Sequence, residues 1–428
     1  MAFDFNAADF YEPDSYAKET ARIFDICNGC RLCFNLCPSF DLLFKRIDEL
    51  DGEMDKLGTA DTKKVVDLCY DCKLCFPKCP YTPPHKYQLD FPRLMLRGKA
   101  IESKKHGVPL RDKMLSRTDL LGTVSTKAAP LVNWTTESKP FRVLMEKTIG
   151  IHRERNLPKY SSQTFLSWYG KHKKHEARSR KSDAEGTPKV VLFYTCSVNY
   201  NDTDTGKAAI QVLEKSGVHV EVPEQKCCGM PYLDGGDVDN AKKHAAYNVK
   251  RLVKFVKEGF DVVSPGPSCS YLLKQDYPML SDDPDSKLVA SHTYDLMEYL
   301  AKLNKEGKLS TEFQKSQGNI TYHLPCHLKA QNIGFKSRDV LQLIPGTNVE
   351  VVAKCSGHDG TWSLKKEYFK LSLDVGKPLF EKFTGNGAAA ASDCPLAQLQ
   401  IEKGSGAKPR HPIQILRDAY GLEKNPKS

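Results

Sequence analysis

The 428-residue sequence predicts an α/β protein with an all-α region at its N-terminus. Three observations support this fold class. Two cysteine runs near the N-terminus are joined by residues with helical spacing, short apolar strands alternate with amphipathic helices after residue 189, and one cysteine pattern occurs twice in that second part. These observations divide the chain into four predicted regions, residues 1–100, 101–188, 189–310 and 311–428.

Two nearly identical cysteine runs mark the all-α region. Each has the form CxxCxxCxxxCP, at residues 27–38 and 69–80. In this pattern three closely spaced thiolates bind one 4Fe–4S cluster, and the fourth cysteine serves the neighbouring cluster. Zinc sites or a disulfide framework are the alternatives, but zinc motifs usually pair two ligands with two distant ones. The crossed pattern predicts one cluster on Cys27, Cys30, Cys33 and Cys79, and a second on Cys69, Cys72, Cys75 and Cys37.

Helices are expected around these runs. Between them, apolar residues recur at helical spacing over 40–50, and a second helix is predicted to start near Asp61 as its N-cap. A third helix opens at Phe91, with Pro92 in its first turn. Residues 1–20 are acidic and aromatic without periodicity, so we expect an ordered arm or a docking tail.

Residues 101–188 are expected to connect the cysteine runs to the α/β part. Four aromatic residues are predicted to pack this connector against neighbouring domains: Trp134, Phe141, Phe165 and Trp168. Lysine, arginine and histidine are concentrated in residues 171–181, which we interpret as a solvated linker. Nucleic-acid binding would need aromatic platforms among those charges, and this segment has none.

Composition limits the compartment and the partners. The first residues have neither a basic region nor an apolar core typical of a secretory signal, so the fifteen cysteines indicate a reducing, cytoplasmic location. No apolar run reaches the roughly 18 residues of a membrane span. Membrane contact would then be peripheral, on the inner face or through a partner. The net charge of +10 is compatible with an acidic partner, nucleic acid or anionic lipid.

After residue 189 the pattern is that of parallel α/β units. Strands are predicted at 190–195, 218–222 and 261–264, with helices at about 204–216 and 238–257. A second set of strands is predicted at 320–324, 349–353 and 388–392. The cysteines follow strand ends, where open α/β sheets build their sites. Corresponding cysteines lie 130, 128 and 125 residues apart, which indicates an internal duplication. The first lobe has Cys196, Cys227, Cys228 and Cys269, and the second has Cys326, Cys355 and Cys394.

Taken together, the tandem runs and the duplicated Cys…CysCysGly…Cys plan resemble the iron–sulfur oxidoreductases with two cysteine-rich CCG domains. That family includes the iron–sulfur C component of anaerobic glycerol-3-phosphate dehydrogenase, the iron–sulfur subunit of glycolate oxidase, the lactate-utilisation iron–sulfur protein and heterodisulfide reductase. The resemblance implies an alpha-helical ferredoxin domain at 1–100, a first CCG domain at 189–310 and a second, degenerate one at 311–428. It also implies an electron-transfer subunit that works with a flavoprotein dehydrogenase, a quinone or another redox protein. The segment 83–96 resembles a branch associated with rubrerythrins, which makes a rubrerythrin-like partner a further expectation.

The CCG plan of heterodisulfide reductase consists of one cysteine, an adjacent pair and a final CxxC, and it binds a noncubane 4Fe–4S cluster. The first lobe has four of these cysteines, so the resemblance implies that Cys196, Cys227, Cys228 and Cys269 could hold a further cluster. The second lobe has Ser356 and Ala397 at two positions of the plan, which leaves Cys326, Cys355 and Cys394 as an incomplete set.

Two alternatives to a simple relay remain open. Cys227 and Cys228 could be a catalytic thiol pair that exchanges with a disulfide. The chain could also be a redox-sensing scaffold that binds nucleic acid through its basic surface. Three histidines near the second-lobe cysteines could ligate metal, but a structural, hydrogen-bonded role is favoured for His323, His327 and His358.

Overall fold

The computed structural model describes residues 3–179, 186–281, 283–358 and 360–422. Within these ranges, every regular element before Lys189 is a helix, and seven parallel strands in two sheets follow. None of the described helices is long and apolar enough to cross a membrane.

Five helices form the N-terminal region. Their inner faces share one apolar core, which includes Phe24, Phe40, Phe44 and Phe91, and the ring of Phe40 stacks on that of Phe91 at 4.2 Å between centroids. This core holds the ends of the helices that carry the cysteines close together. The helices are α1 (Pro13–Cys30), α2 (Pro38–Glu49), α3 (Thr59–Leu68), α4 (Cys75–Lys78) and α5 (Phe91–His106).

Five more helices form the connector. The first four are short and follow one another closely, and three of them have proline in the first turn or just before it. They are α6 (Leu110–Ser116), α7 (Thr118–Lys127), α8 (Ala129–Glu137), α9 (Lys139–Ile149) and α10 (Phe165–Ser179).

The first lobe is a four-stranded parallel sheet with the order β2-β1-β3-β4, covered by helices. Because β1 lies between β2 and β3, the loops that follow these three strands leave the same edge of the sheet. The strands are β1 (Lys189–Leu192), β2 (His219–Glu221), β3 (Asp261–Ser264) and β4 (Thr293–Asp295). The helices are α11 (Cys196–Tyr200), α12 (Thr203–Lys215), α13 (Met230–Asp234), α14 (Val238–Lys257), α15 (Pro267–Tyr271), α16 (Tyr277–Leu280), α17 (Pro284–Ser291) and α18 (Leu296–Lys305).

The second lobe repeats this plan with three strands in the order β6-β5-β7. Its first strand is again central, so the cysteines that follow its strands also lie at the carboxyl edge. The strands are β5 (Gly318–His323), β6 (Thr347–Val352) and β7 (Ala389–Ser392). The helices are α19 (Cys326–Ala330), α20 (Lys336–Leu341), α21 (Phe369–Phe383), α22 (Pro395–Ser405) and α23 (Pro412–Ala419).

The two lobes share a hydrophobic core. One continuous cluster of buried side chains includes Val190 and Leu213 from the first lobe, and Ile320, Tyr322 and Leu416 from the second. At the same contact, buried Arg417 pairs with Asp204 at 2.5 Å. The lobes therefore form a single packed unit.

Residues 171–179 of the predicted solvated linker are helical, although Lys171, Lys173 and Lys174 are exposed as expected. Helix α10 continues through the basic run to Ser179 because its first turns are anchored by an apolar stripe. Phe165 is fully buried, Trp168 stacks on the ring of His172, and His172 hydrogen-bonds the Glu214 carboxylate at 2.9 Å. Residues 180–185 of the expected linker lie outside the described residues.

Three further expectations need correction. Helix α3 begins at Thr59 with Gly58 as its N-cap, and Asp61 instead pairs with Arg46. The N-terminal arm is ordered in its described part, but its last residues already belong to α1, which starts at Pro13. Trp134 and Phe141 are not packed away from solvent, since 57% and 41% of their surfaces are exposed, and their rings contact each other.

Candidate metal centres and thiol site

The eight cysteines of the two runs surround two small cavities in the N-terminal region. Cys27 and Cys30 lie in the last turn of α1, which ends at Arg31 in a left-handed conformation, and Cys33 follows in the next loop. Cys79 from the second run lines the same cavity. We call Cys27, Cys30, Cys33 and Cys79 the outer set.

The other four cysteines line the second cavity, and Phe40 lies in the wall of both cavities. Cys37 precedes α2, Cys69 follows α3, and Cys75 begins α4. We call Cys37, Cys69, Cys72 and Cys75 the inner set. The outer and inner sets contain the same cysteines as the two groups predicted from the crossed sequence pattern.

Burial keeps most of these thiols protonated when no metal is bound. It raises the pKa of Cys33 to about 11, of Cys37 to about 12 and of Cys69 to about 11. Burial also raises the pKa of Cys75, and the negative charge of neighbouring cysteines raises it further. A cation that binds here has to displace these protons, as soft metals do at thiol sites.

The donor set fits iron–sulfur clusters better than single ions. Among the described residues, no three or more Cys, His, Asp or Glu side chains are gathered at metal-binding distance around one point. Each thiolate of a 4Fe–4S cluster binds a different iron, so its four sulfurs surround a volume and do not converge on one ion. Four cysteines around each of two enclosed cavities match that requirement.

The loop between Cys69 and Cys75 contains a buried ion pair. Asp71 and Lys73 are both in the left-handed region, with φ of 56° and 63°, and Lys73 Nζ lies 2.7 Å from the carboxylate. Only 2% of each side chain is exposed. Burial opposes both charges, but the attraction of Lys73 lowers the pKa of Asp71, and Asp71 with Asp276 raises that of Lys73. This pair fixes the loop that carries Cys72.

The same loop is enclosed by the lobes. The Tyr70 hydroxyl and Cys355 Sγ are hydrogen-bonded at 3.3 Å, and the indole N–H of Trp362 donates to the carbonyl of Asp67 at 3.0 Å. His327 Nε2 contacts the Asp71 carbonyl oxygen at 3.0 Å, and its Nδ1 contacts Ser268 Oγ at 2.8 Å. Because a carbonyl oxygen only accepts, His327 Nε2–H donates to the Asp71 carbonyl. The inner set thus adjoins both lobes.

The outer set, by contrast, lies near the surface. Its loop exposes two large apolar side chains, Leu32 at 49% and Phe34 at 44%. Arg31 beside them pairs with Asp48 at 2.5 Å.

The four first-lobe cysteines form a second group, the lobe-one thiol cluster, made up of Cys196, Cys227, Cys228 and Cys269. Cys269 Sγ–H donates to Cys228 Sγ at 3.3 Å. Hydrogen bonds from Cys196 and Cys228 lower the pKa of Cys227, and the same contact with Cys227 raises that of Cys196. Cys227 is therefore the preferred thiolate of the group.

The connector contributes a carboxylate that the sequence did not identify. The Cys227 backbone N–H donates to Asp119 Oδ2 of α7 at 2.8 Å. Burial, together with the nearby Cys227 thiolate, raises the pKa of Asp119 to about 6. Nothing in the sequence marks Asp119, because it comes from a distant helix with no motif.

A cavity of about 400 Å³ opens beside the lobe-one thiol cluster. All four of its cysteines line this cavity, as does Cys394 of the second lobe. The remaining wall is mainly apolar, and the connector contributes part of it, including Leu121, Val132 and Met145. The cavity can admit a ligand of moderate size to the thiols.

The second lobe carries three cysteines. Cys355 contacts Tyr70, Cys394 lines the large cavity, and Cys326 begins α19 beside His327. Ser356 Oγ–H donates to the carbonyl of His358 at 3.4 Å.

Two of the three candidate histidines are hydrogen-bonded within the fold, as the sequence favoured. His323 contacts Ser392 Oγ at 3.0 Å and the Lys354 carbonyl at 3.2 Å, and burial lowers its pKa to about 4. His327 has the contacts given above. His358 is buried, and neither ring nitrogen has a partner among the described residues.

Comparisons with known proteins identify both halves of the chain. Residues 20–104 match the Citrate utilization protein B Fer4-like domain, and residues 190–274 and 320–402 each match the Cysteine-rich domain called CCG. The C component of anaerobic glycerol-3-phosphate dehydrogenase from Escherichia coli K12 is 34% identical over 314 residues, which cover 72% of this chain and 77% of the relative. Lactate utilization protein A of Geobacillus kaustophilus is 32% identical over 190 residues, 41% of this chain and 75% of the relative. Lactate utilization protein A of Bacillus cytotoxicus is 31% identical over 187 residues, again 41% of this chain and 75% of the relative.

Proposed function

Because the chain belongs to the family of the anaerobic glycerol-3-phosphate dehydrogenase C component, we propose that it is the electron-transfer subunit of a cytoplasmic oxidoreductase complex. The family resemblance seen in the sequence is confirmed, and the chain is an iron–sulfur protein of electron transport. The proposed partner at one end is a flavoprotein dehydrogenase. At the other end it is a quinone or a rubrerythrin-like protein, with contact to the inner face of the membrane.

The outer and inner sets are the proposed ligands of two clusters. Bound there, 4Fe–4S clusters would supply one-electron transfer. The chain's own part is to hold eight thiolates in two groups separated by Phe40, and to exclude water from the inner group through the packing of Tyr70 and Trp362.

The observation that carries this proposal is the asymmetry between the two sets. The outer set lies under an exposed loop, where Leu32 and Phe34 can meet another protein. The inner set is enclosed by the lobes, with Tyr70 in contact with Cys355 and His327 in contact with Ser268. Ser268 precedes Cys269 of the lobe-one thiol cluster. Electrons from a partner at the surface would thus pass from the outer set to the inner set and then toward the large cavity.

The crossed ligation can be tested with four serine variants in protein purified without oxygen. Cys33→Ser and Cys79→Ser should change one electron paramagnetic resonance signal, and Cys75→Ser and Cys37→Ser should change the other. Cys326→Ser serves as a matched control and should leave both signals as they are. If Cys37→Ser changed the signal that responds to Cys33→Ser, the assignment of the two sets would be wrong.

A second candidate function is thiol–disulfide exchange at the lobe-one thiol cluster. Two observations favour it. Hydrogen bonds from Cys196 and Cys228 lower the pKa of Cys227, and the Cys227 side chain lines a cavity that a ligand can enter. The Cys227 thiolate would attack a disulfide and release one thiol, and a neighbouring cysteine would then displace the second. The partner complex would supply the two electrons that restore the thiols.

This second function predicts that Cys227→Ser and Cys228→Ser abolish disulfide turnover while both cluster signals persist. Normal turnover in both variants would rule it out. If iron analysis instead assigned a further, noncubane cluster to Cys196, Cys227, Cys228 and Cys269, that cluster would replace free thiol chemistry at this site.

A further inference from the structure

His327 connects the loop of the inner set to the first lobe. Its Nε2–H donates to the carbonyl oxygen of Asp71 at 3.0 Å, and its Nδ1 is hydrogen-bonded to Ser268 Oγ at 2.8 Å. Asp71 directly precedes Cys72 of the inner set. Ser268 likewise directly precedes Cys269 of the lobe-one thiol cluster. One side chain therefore joins the two groups of cysteines through two hydrogen bonds and short stretches of covalent chain.

The ring of His327 is held in place by the contact between α15 and α19. Only 2% of the residue is exposed, and its ring packs on that of Tyr271 with 5.5 Å between centroids and 26° between planes. Just beyond the end of α19, the side-chain amide of Gln331 donates to the Pro267 carbonyl at 3.3 Å and to Ser270 Oγ at 2.9 Å. Because the ring is shielded from water, its two hydrogen bonds do not compete with solvent.

The loop at the other end of this connection is equally fixed. The Asp71 side chain is paired with Lys73, whose Nζ also lies 5.9 Å from the centroid of the Tyr271 ring on α15. Lys99 Nζ donates to the carbonyl of Cys69 at the start of the loop, at 2.7 Å. The Asp71 carbonyl therefore keeps one direction, toward α19.

A second contact leaves the same loop and leads elsewhere. The Tyr70 hydroxyl and Cys355 Sγ are hydrogen-bonded at 3.3 Å, and Cys355 belongs to the second lobe. Ser268 and Cys269, by contrast, both line the large cavity. Of these two connections, the one through His327 leads to the lobe-one thiol cluster and to the space that a ligand can enter.

We propose that His327 is a positioning residue that couples electron transfer between the inner set and the lobe-one thiol cluster. Electron tunnelling decays less steeply along bonded atoms and short hydrogen bonds than across a gap, so this bridge sets the route by which electrons leave the inner set. The bridge ends at Cys269 whether the lobe-one cysteines react as thiols or bind a further cluster. The inference rests on the proposed function, because it needs an inner set that carries electrons.

The test is a single-turnover experiment on the full chain purified without oxygen. The protein is reduced with photoexcited deazaflavin and mixed in a stopped-flow instrument with dipyridyl disulfide, a probe small enough for the cavity of about 400 Å³. Two lobe-one thiols reduce one probe molecule to two pyridine thiols and form a disulfide. Two electrons from the reduced clusters, with two protons, then restore the thiols. Cluster reoxidation is followed by visible absorbance, and Cys227→Ser measures any direct reaction of the probe with the clusters.

Variants on both sides of the hydrogen bond assign the route. Ser268→Ala and His327→Phe should each slow reoxidation by about tenfold or more. The double variant should be no slower than His327→Phe alone, because both changes break the same path. Ser268→Thr keeps the hydroxyl and should retain the parent rate. Ser270→Ala is the matched control, since it removes another hydroxyl of α15 that contacts Gln331 but lies outside the bridge, and it should also retain the parent rate.

Reduction potentials separate a route for electrons from a structural clamp. Titrations followed by electron paramagnetic resonance should give Ser268→Ala the same midpoint potentials as the parent chain for both cluster signals. A shift in potential large enough to explain the slower rate would overturn the proposal, as would a parent-like rate for Ser268→Ala or equal slowing by Ser270→Ala.

Two further outcomes identify what has failed. Slowing by Tyr70→Phe with a parent-like rate for Ser268→Ala would overturn the proposal and indicate an exit through the second lobe. A parent chain without cluster signals would refute the proposed function and this proposal together. A parent chain with both signals and fast reoxidation, unchanged by Ser268→Ala, would refute the bridge alone.

Discussion

The buried pair Asp71–Lys73 gives the sharpest test of how the inner set is built. The two side chains are each 2% exposed, and Lys73 Nζ lies 2.8 and 2.7 Å from the two carboxylate oxygens. Lys73→Met keeps the length of the side chain and the left-handed backbone, but it leaves a buried carboxylate without its closest cation. Removing one partner of such a pair costs about 3–5 kcal/mol. Because Lys99 still attracts Asp71, we expect the lower end of that range.

The assay is urea unfolding under argon, followed by far-ultraviolet circular dichroism, with iron content measured separately. Lys63→Met is the matched control, since its pair with Asp67 is about half exposed and is worth less than about 1 kcal/mol. The double variant Asp71→Asn/Lys73→Met should recover most of the lost stability. A cost for Lys73→Met equal to that for Lys63→Met, or no recovery in the double variant, would refute the reasoning.

Three other predictions concern the lobes and the connector carboxylate that contacts the first lobe. Gly357→Ala should lower the free energy of unfolding by about 3 kcal/mol or more, because its φ is +67° and a Cβ would lie 1.9 Å from the Ser372 carbonyl oxygen. Gly385→Ala has a φ of +66° and open space, so its cost should be only about 1–2 kcal/mol, and equal costs for the two would contradict this account. Burial lowers the pKa of His323 to about 4, so the folded ring stays neutral while the unfolded ring binds a proton below about 6.5. Stability should therefore fall by about 2 kcal/mol from pH 7 to pH 5 through this residue, and His323→Gln should flatten the slope measured by urea unfolding. Finally, Asp119→Asn removes a negative charge near Cys227, so Cys227 should react with iodoacetamide at lower pH in this variant. An unchanged pH profile would show that the Asp119 charge does not influence the Cys227 thiol.

Much of the lobe architecture could be predicted from the sequence because short buried strands and amphipathic helices have clear periods. Helix α14 and strand β3 have the predicted bounds, Val238–Lys257 and Asp261–Ser264. The carboxyl-edge rule for parallel sheets also placed the lobe-one thiol cluster in one group. Local pattern and tertiary packing agree in these elements.

Other features depend on distant contacts and gave no local signal. Asp119 reaches Cys227 from a helix 108 positions earlier in the chain. Helix α10 is held by Phe165 and by the His172–Glu214 contact, although its own second half is dominated by cations. Trp134 and Phe141 were predicted to be packed because aromatic residues usually are, yet both are exposed and their rings contact each other at the surface. Sequence periodicity alone does not show which neighbour covers a helix face.

The measurement that tests the central claim most directly is iron, zinc and acid-labile sulfide per chain in protein purified without oxygen. If the outer and inner sets each hold a 4Fe–4S cluster, the chain should contain about eight irons and an equal amount of acid-labile sulfide. About twelve irons would indicate a third iron–sulfur centre, held by the lobe-one thiol cluster, and would still agree with two 4Fe–4S clusters on the outer and inner sets. Zinc without sulfide, or about four irons, would contradict it.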